Sequence, residues 1–243
     1  LTESITTGHA NSSHTNVKDI RGNVASMRLE AINIGRPREV DLGAGPESTA
    51  IFKATVDGPV RVTADGLDGD TVGDTKHHCG PDQAAYVYFG ADYVHWEALH
   101  DQPIAPCTFV DNLPITGVDG RNTTISSKDL WIGDRLTIGR VVLEVSSPRI
   151  PCGTFSRRMG LPATFIERFR SELRPGVYTR VIEPGSVTVG DSVELTKGQC
   201  TVSIVEMVEL WGQKPTAETI ERILAAPIAL RSRMDYERTR AKA

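Results

Sequence analysis

The sequence lacks the features of a membrane protein and of a small secreted protein held together by disulfides. None of its apolar runs reaches 18 residues, and its first 26 residues have no apolar centre of the kind found in a secretory signal. The four cysteines in 243 residues do not have the tight spacing of a disulfide scaffold: they are Cys79, Cys107, Cys152 and Cys200. We therefore expect a cytoplasmic protein with reduced thiols and no membrane association.

The sequence also has little net charge and no nucleotide-binding fingerprint. The formal charge of −4 gives no basis for binding nucleic acid or an anionic membrane, so a bound anion must be held by a local basic patch. No G-x-G-x-x-G motif follows a predicted strand, which argues against a resident flavin or nicotinamide. Asp134 and Asp191 each follow a glycine, as turn residues do, and so no catalytic carboxylate pair is indicated.

The sequence does contain many short β-type runs separated by Gly, Pro and Asp. Few helical segments lie between them, and this arrangement favours a closed barrel or sandwich over a parallel α/β sheet. The predicted fold is mainly β (a β-rich α+β fold): a distorted β-barrel with short helices at its mouth and a C-terminal helical hairpin. The predicted strands include residues 201–210, and residues 174–195 are predicted to form a hairpin that turns at Pro184 and Gly185.

We expect three segments along the chain. Residues 1–26 are interpreted as a disordered leader or an artificial extension before Met27, residues 27–212 as the barrel domain, and residues 213–243 as a helical extension. The predicted helices cover 90–100, 153–160 and 162–173, followed by a tail helix capped by Thr216 and a break at Pro227. The tail residues expected to be buried, against the barrel or a second subunit, are Ile220, Ile223, Leu224 and Leu230.

One thiol stands out by its surroundings. Cys152 lies between Pro151 and Gly153, ahead of a short basic segment with Arg157 and Arg158. A structural thiol usually lies in an apolar strand or helix, where it acts as a small hydrophobic group. The exposed turn therefore makes Cys152 a candidate for metal binding or catalysis.

A second candidate segment brings Lys76, His77, His78 and Cys79 together before a Gly-Pro turn. Adjacent side chains of an extended chain point to opposite faces, so both histidines cannot face one site, and a solvated turn with one capping histidine is an equal alternative. A zinc site would recruit His77 or His78 with Cys79, Cys107 and Cys152, but paired C-x₂-C or H-x₃-H spacing is missing. A nucleophilic Cys–His pair remains open, because the sequence does not show which histidine lies near Cys152.

Taken in order, five segments resemble the MOSC domain, named for the C-terminal part of molybdenum cofactor sulfurases. The resemblance is to its small stand-alone bacterial branch, the YiiM-like proteins, and covers roughly residues 27–195. The matching segments are NIGRPREV, DTKHHCGPDQAAYVYFGADYVHW, FVDNLPITG, WIGDRLTIGRVVLEVSSPRIPC and GVYTRVIEPGSVTVGDSVEL. In one departure, Cys79 stands where the family usually has glycine.

The resemblance implies that Cys152 ligates the metal of a molybdenum cofactor, with no requirement for pyridoxal phosphate. It further implies that Lys76, His77, His78, Asn112 and Arg149 bind the pterin or its phosphate, and that His77 with Cys152 takes part in catalysis. The implied activity is reduction of N-hydroxylated compounds, such as hydroxylaminopurines, to amines by a monomer or homodimer. Electrons would come from a separate reductase.

Two other functions are compatible with the same residues. A carrier or sulfur-transfer module could hold the molybdenum cofactor without turnover, and it would need the same thiol. A cofactor-free barrel could bind small molecules instead. Metal analysis distinguishes the cofactor-free barrel from the reductase and the carrier, which both need the molybdenum cofactor.

Overall fold

The computed structural model describes residues 27–43, 45–71, 80–120, 125–159 and 164–242, so the expected leader lies outside the described residues. The strands are β1 (Met27–Leu29), β2 (Asn33–Gly35), β3 (Arg38–Asp41), β4 (Pro46–Thr49), β5 (Lys53–Thr55), β6 (Val60–Thr63), β7 (Gly66–Leu67), β8 (Ala85–Phe89), β9 (Leu113–Gly117), β10 (Arg135–Ile138), β11 (Val141–Pro148), β12 (Val177–Glu183), β13 (Gly185–Val187) and β14 (Ser192–Thr196). The α-helices are α1 (Gly90–His100), α2 (Gly153–Arg158), α3 (Thr164–Ser171), α4 (Ile204–Glu209), α5 (Ala217–Ala225) and α6 (Leu230–Arg240).

Seven strands close into a barrel, which confirms the predicted fold class. Their order is β1-β14-β10-β11-β12-β8-β9, and β9 returns to β1. All neighbours pair antiparallel except β8 and β9, which are parallel and are joined through α1. Closure leaves no open sheet edge in the barrel, and the smaller pairs β2-β5 and β3-β4 lie outside it.

The two faces of the barrel wall build two separate cores. In β8, Ala85, Val87 and Phe89 point into the barrel and join an aliphatic core, whereas Tyr86 and Tyr88 point outward. This is the period-two alternation expected of a strand that is buried on both faces. The outward tyrosines belong to an aromatic cluster that helices α1, α2 and α3 complete with Tyr93, Trp96, Phe155, Phe165 and Phe169.

The C-terminal segment packs onto the barrel as two helices separated by Pro227. Thr216 caps α5 by accepting a hydrogen bond from the Thr219 backbone N–H at 3.2 Å, as predicted from the sequence. Ile220 and Ile223 are buried, and Ile223 joins the barrel core. Leu230 does not pack against the barrel, since it is 62% exposed at the first turn of α6. No helix of the described residues is long and apolar enough to cross a membrane.

Two predicted elements are wrong. Residues 201–210 contain helix α4 in place of a strand, because Ser203 caps it and Ile204, Met207 and Val208 share one buried helical face. Residues 174–195 do not form a hairpin, because β13 turns away from β12 and pairs with β6.

Candidate functional site

Cys152 lies between the end of a barrel strand and the start of a short helix. Strand β11 ends at Pro148, and Cys152 is the residue that precedes α2, with an extended backbone. Its side chain forms no capping bond, is half-buried and packs against the aromatic cluster. The fold therefore holds the thiol at a partly open turn against a rigid aromatic surface.

Arg149 lies three residues earlier and is buried, with 6% exposure. Its guanidinium carbon lies 4.8 Å from the centre of the Tyr86 ring and 4.5 Å from that of Phe155. Both distances are within the range of cation–π attraction. Its Nε atom is buried and has no hydrogen-bond partner among the residues that the structure describes. Two rings thus hold a cation in place while one of its donors is left for another group.

Helix α2, which follows Cys152, carries two further arginines whose buried Nε atoms lack a partner within the described ranges. Arg157 reaches Glu47 at 3.4 Å and Thr154 at 3.1 Å through its terminal nitrogen. Arg158 stacks over Phe52 at 4.7 Å, and Arg38 stacks on the same ring at 3.8 Å. Burial and the neighbouring Arg38 charge lower the pKa of Arg158 below its ordinary value. This concentration of positive charge favours an anionic ligand.

A buried ion pair lies near Arg149. Lys53 Nζ contacts the Asp70 carboxylate at 2.6 Å, and both side chains are less than 10% exposed. Burial lowers the pKa of Lys53, and Asp70 opposes that shift. Asn112 donates from Nδ2 to Asp70 at 2.9 Å and to the Asn33 carbonyl at 3.0 Å, and its Oδ1 accepts from the Tyr86 N–H at 3.1 Å. The Asn112 amide is therefore engaged with the protein on both ends, so here it braces the strands.

A series of buried hydrogen bonds continues from the Lys53–Asp70 ion pair. The Tyr93 hydroxyl donates to Asp111 at 2.6 Å, and Asn33 donates to the same carboxylate at 3.1 Å. Thr55 donates to Asn33 at 2.9 Å and lies 3.8 Å from the Cys107 sulfur. Burial raises the pKa of Asp111 above its ordinary value, although the hydrogen bond from Tyr93 opposes the shift. Electrostatic coupling links Arg149 to Cys152, Asp111 and Lys53, so these groups form one neighbourhood.

The structure thus brings together Cys152 and Arg149, with Asn112 close by in a bracing role. Lys76, His77, His78 and Cys79 lie outside the described residues, so their predicted roles remain predictions. Sequence reasoning missed Lys53, Asp70 and Asp111. Asp111 could have been noticed as an acidic residue inside an apolar run; the other two carry no local signal. Within the described ranges no three His, Cys, Asp or Glu side chains form a metal-binding group, and the proposed zinc set falls partly outside those ranges.

These residues fit the cofactor that the resemblance implies. A molybdenum cofactor offers a soft metal, for which a thiolate is a suitable ligand, and an anionic phosphate, for which buried guanidinium donors are suitable. The three unpartnered Nε atoms and the half-buried thiol supply both kinds of group within residues 149–158.

The family model of the MOSC domain matches residues 74–194, which include β8 to β12 and the Cys152 turn. The chain belongs to the MOSC domain family. The sequence resemblance is therefore confirmed at the level of the family.

Curated relatives of similar length include YflK of Bacillus subtilis and YiiM of Escherichia coli. Each is 27% identical to this chain, over 72% and 73% of the chain and 76% and 78% of the relative. A fungal protein of Gibberella moniliformis named "Reductase" is 33% identical over 69% of this chain, a region that makes up 29% of that protein. The crystal structure of YiiM from Geobacillus stearothermophilus superposes with a TM-score of 0.70 at 22% identity, covering 88% of this chain and 99% of that one. This likeness shows the shared fold.

Proposed function

We propose that this MOSC-domain protein binds a molybdenum cofactor through Cys152 and reduces N-hydroxylated compounds to amines. The single observation that carries the proposal is a half-buried thiol flanked in the chain by buried, unpartnered guanidinium nitrogens, that of Arg149 before it and those of Arg157 and Arg158 in α2 after it. The reductase name of the fungal relative supports an oxidoreductase role.

In this proposal Cys152 anchors the metal and Arg149 pairs with the cofactor phosphate. The Tyr86 and Phe155 rings fix the guanidinium, so little side-chain entropy remains to be lost on binding. The Arg158 guanidinium adds positive charge, and the aromatic cluster behind the thiol excludes water from that side. Lys53 adds a buried positive charge near Arg149.

The cofactor, when bound, supplies two-electron reduction at the N–O bond. The balanced reaction consumes two electrons and two protons, breaks the N–O bond of the hydroxylamine and yields an amine and water. A separate reductase supplies the electrons. His77 is proposed to deliver a proton to the departing oxygen, since an imidazole titrates near neutral pH. Lys76 and His78 are proposed to contact the cofactor.

The test compares Cys152→Ser with two matched variants, Cys107→Ser and Cys200→Ser. Serine has nearly the volume of cysteine, but its hydroxyl is not ionised near neutral pH and is a poor ligand for a soft metal. All proteins are produced in a host that makes the cofactor. Molybdenum and pterin are measured per chain, and reduction of an N-hydroxylated base is followed with a strong chemical reductant.

We expect the Cys152 variant alone to lose both metal and turnover while its thermal unfolding midpoint stays near that of the wild type. Loss of metal in another variant, with retention in the Cys152 variant, would place the metal elsewhere. Wild-type protein that retains the full cofactor but reduces no N-hydroxylated compound would favour a carrier over an enzyme.

A further inference from the structure

A cavity lies behind the Cys152 turn, between strand β11 and the C-terminal helices. Its volume is about 180 Å³, and Cys152 is not part of its lining. Apolar walls come from Pro148 and Ile150 on one side and from Met207, Leu210, Trp211 and Tyr236 on the other. An apolar protein cavity of about 150 Å³ holds a benzene ring, so this space suits a molecule of about one aromatic ring.

Two polar atoms in the lining of this cavity lack partners within the described part of the chain. Ser147 is 4% exposed, and its hydroxyl is buried without a hydrogen bond. Gln83, in the short helix Pro81–Gln83, has a buried Oε1 in the same condition. Buried polar groups in proteins are almost always satisfied, so two unpaired ones at one apolar cavity point to a ligand that supplies the bonds.

The two atoms also restrict the chemistry of that ligand. Gln83 Oε1 only accepts a hydrogen bond, whereas the Ser147 hydroxyl can donate one. A suitable ligand therefore presents an N–H donor and a carbonyl acceptor. A carboxylate ligand would offer no donor to Gln83 and would lose its hydration against the apolar walls. The lining has one acidic and one basic side chain, Asp235 and Arg231, and so no net charge to offset that loss. Trp211 and Tyr236 add ring surfaces against which a flat molecule can pack.

We propose that this cavity is a binding site for an uncharged, single-ring aromatic carboxamide or a planar molecule with the same donor–acceptor edge. The site is separate from that of Cys152, and the inference does not depend on the proposed function. A narrow cleft shares Pro148, Ile150 and Trp211 with the cavity and is also lined by Arg149. The ligand therefore sits against the segment that leads to the candidate metal ligand.

The experiment titrates benzamide into the full chain and follows the NMR signal of the Trp211 indole N–H, with Trp131, which does not line the cavity, as an internal reference. Acetophenone has the carbonyl but no N–H, and benzoate has a charge. We expect saturable binding of benzamide, at least about fivefold weaker binding of acetophenone because one neutral hydrogen bond is lost, and no saturable binding of benzoate.

Three substitutions separate the contacts. Ser147→Ala should weaken benzamide and acetophenone by about the same factor of five, whereas Gln83→Leu should weaken benzamide alone. Leu210→Trp should fill the space and abolish binding; Leu230→Trp is its control, because Leu230 is 62% exposed and outside the cavity. Without ligand, Ser147→Ala should keep or raise the unfolding midpoint, since its hydroxyl has no bond to lose.

The proposal is overturned if the Trp211 signal shows no saturable shift with benzamide, in which case the cavity holds only water. It is equally overturned if Leu210→Trp binds benzamide as well as Leu230→Trp does, or if benzamide and acetophenone bind alike. A lowered midpoint of ligand-free Ser147→Ala would show that the protein itself satisfies the hydroxyl, and the inference would fall with it.

Discussion

Replacing Gly176 by alanine should destabilise the protein through two separate effects. Gly176 has a φ of 66°, in the left-handed region that favours glycine. A methyl group there would lie 2.5 Å from the Tyr86 hydroxyl and 2.6 Å from a ring carbon of Tyr88. Neither ring can easily move, because the Tyr86 hydroxyl donates to the Pro175 carbonyl at 2.6 Å and Tyr88 accepts from Trp96 at 2.9 Å.

The two effects have different sizes and a control that separates them. The left-handed backbone costs a residue with a Cβ about 1–2 kcal/mol, and overpacking a filled core costs about 1–3 kcal/mol more. The expected loss is therefore about 2–5 kcal/mol, a large part of the 5–15 kcal/mol typical of a domain. Gly190 has a φ of 91° but open space around its Cβ position, so Gly190→Ala should show the backbone effect alone.

Urea unfolding monitored by tryptophan fluorescence measures both variants, and an unchanged denaturant slope validates the comparison. Under the proposed function, Gly176→Ala should also weaken retention of the cofactor, because the Arg149 guanidinium carbon lies 4.8 Å from the centre of the Tyr86 ring. Equal losses of stability in the two variants would mean that the tyrosines yield without strain. The predicted clash with Tyr86 and Tyr88, and with it the rigid packing of these two rings, would then be refuted.

Three further predictions concern the buried charges and the tail. Burial raises the pKa of Asp111, so the folded chain binds this proton more tightly than the unfolded chain. The free energy of unfolding of the wild type should therefore fall, relative to that of Asp111→Asn, as pH rises from about 4. Parallel pH curves for the two proteins would contradict this prediction. Lys53→Met leaves the Asp70 carboxylate buried without its lysine partner and should lower the free energy of unfolding in urea by about 3–5 kcal/mol. Adding Asp70→Asn should recover part of this loss. No recovery would show that the broken Lys53–Asp70 ion pair is not the cause. Thr216→Ala removes the cap of α5 and should lower the free energy of unfolding by about 0.5–2 kcal/mol in the same assay. Thr219→Ala leaves the capped backbone N–H in place and should lower it by less. The reverse order would refute the capping role of Thr216.

Local patterns in the sequence predict the local structure well. The Gly90–His100 helix lies where the sequence predicts it, and Thr216 marks the start of α5 by its capping chemistry. Residues 201–210 show where this reasoning becomes ambiguous. A short apolar run fits a strand and a buried helix equally well, and the helical spacing of Ile204, Met207 and Val208 together with the Ser203 cap decides it.

Long-range pairing is what the sequence does not predict. Strand β13 follows β12 directly yet pairs with β6, more than 100 positions earlier in the chain. No local sequence pattern in β13 predicts this pairing. The candidate site has the same character. Cys152 and Arg149 share one motif and are found together, but Lys53 in β5, Asp70 after β7 and Asp111 before β9 come close to them only through contacts between distant parts of the chain. The family resemblance identified the first group and was silent on the second.

The energetics of the Cys152 turn connect stability with function. More than 90% of buried polar groups in proteins find partners, and a buried donor without one costs about 1–3 kcal/mol. Arg149 before Cys152, and Arg157 and Arg158 in α2 after it, each bury an Nε atom that has no partner in the described residues. A fold selected for stability alone would have apolar side chains of similar volume at Arg149, between two aromatic rings. The ring contacts of Arg149 and the Glu47 and Thr154 contacts of Arg157 leave these Nε donors unused, and the proposed anionic cofactor would satisfy them by bringing oxygens beside the thiol.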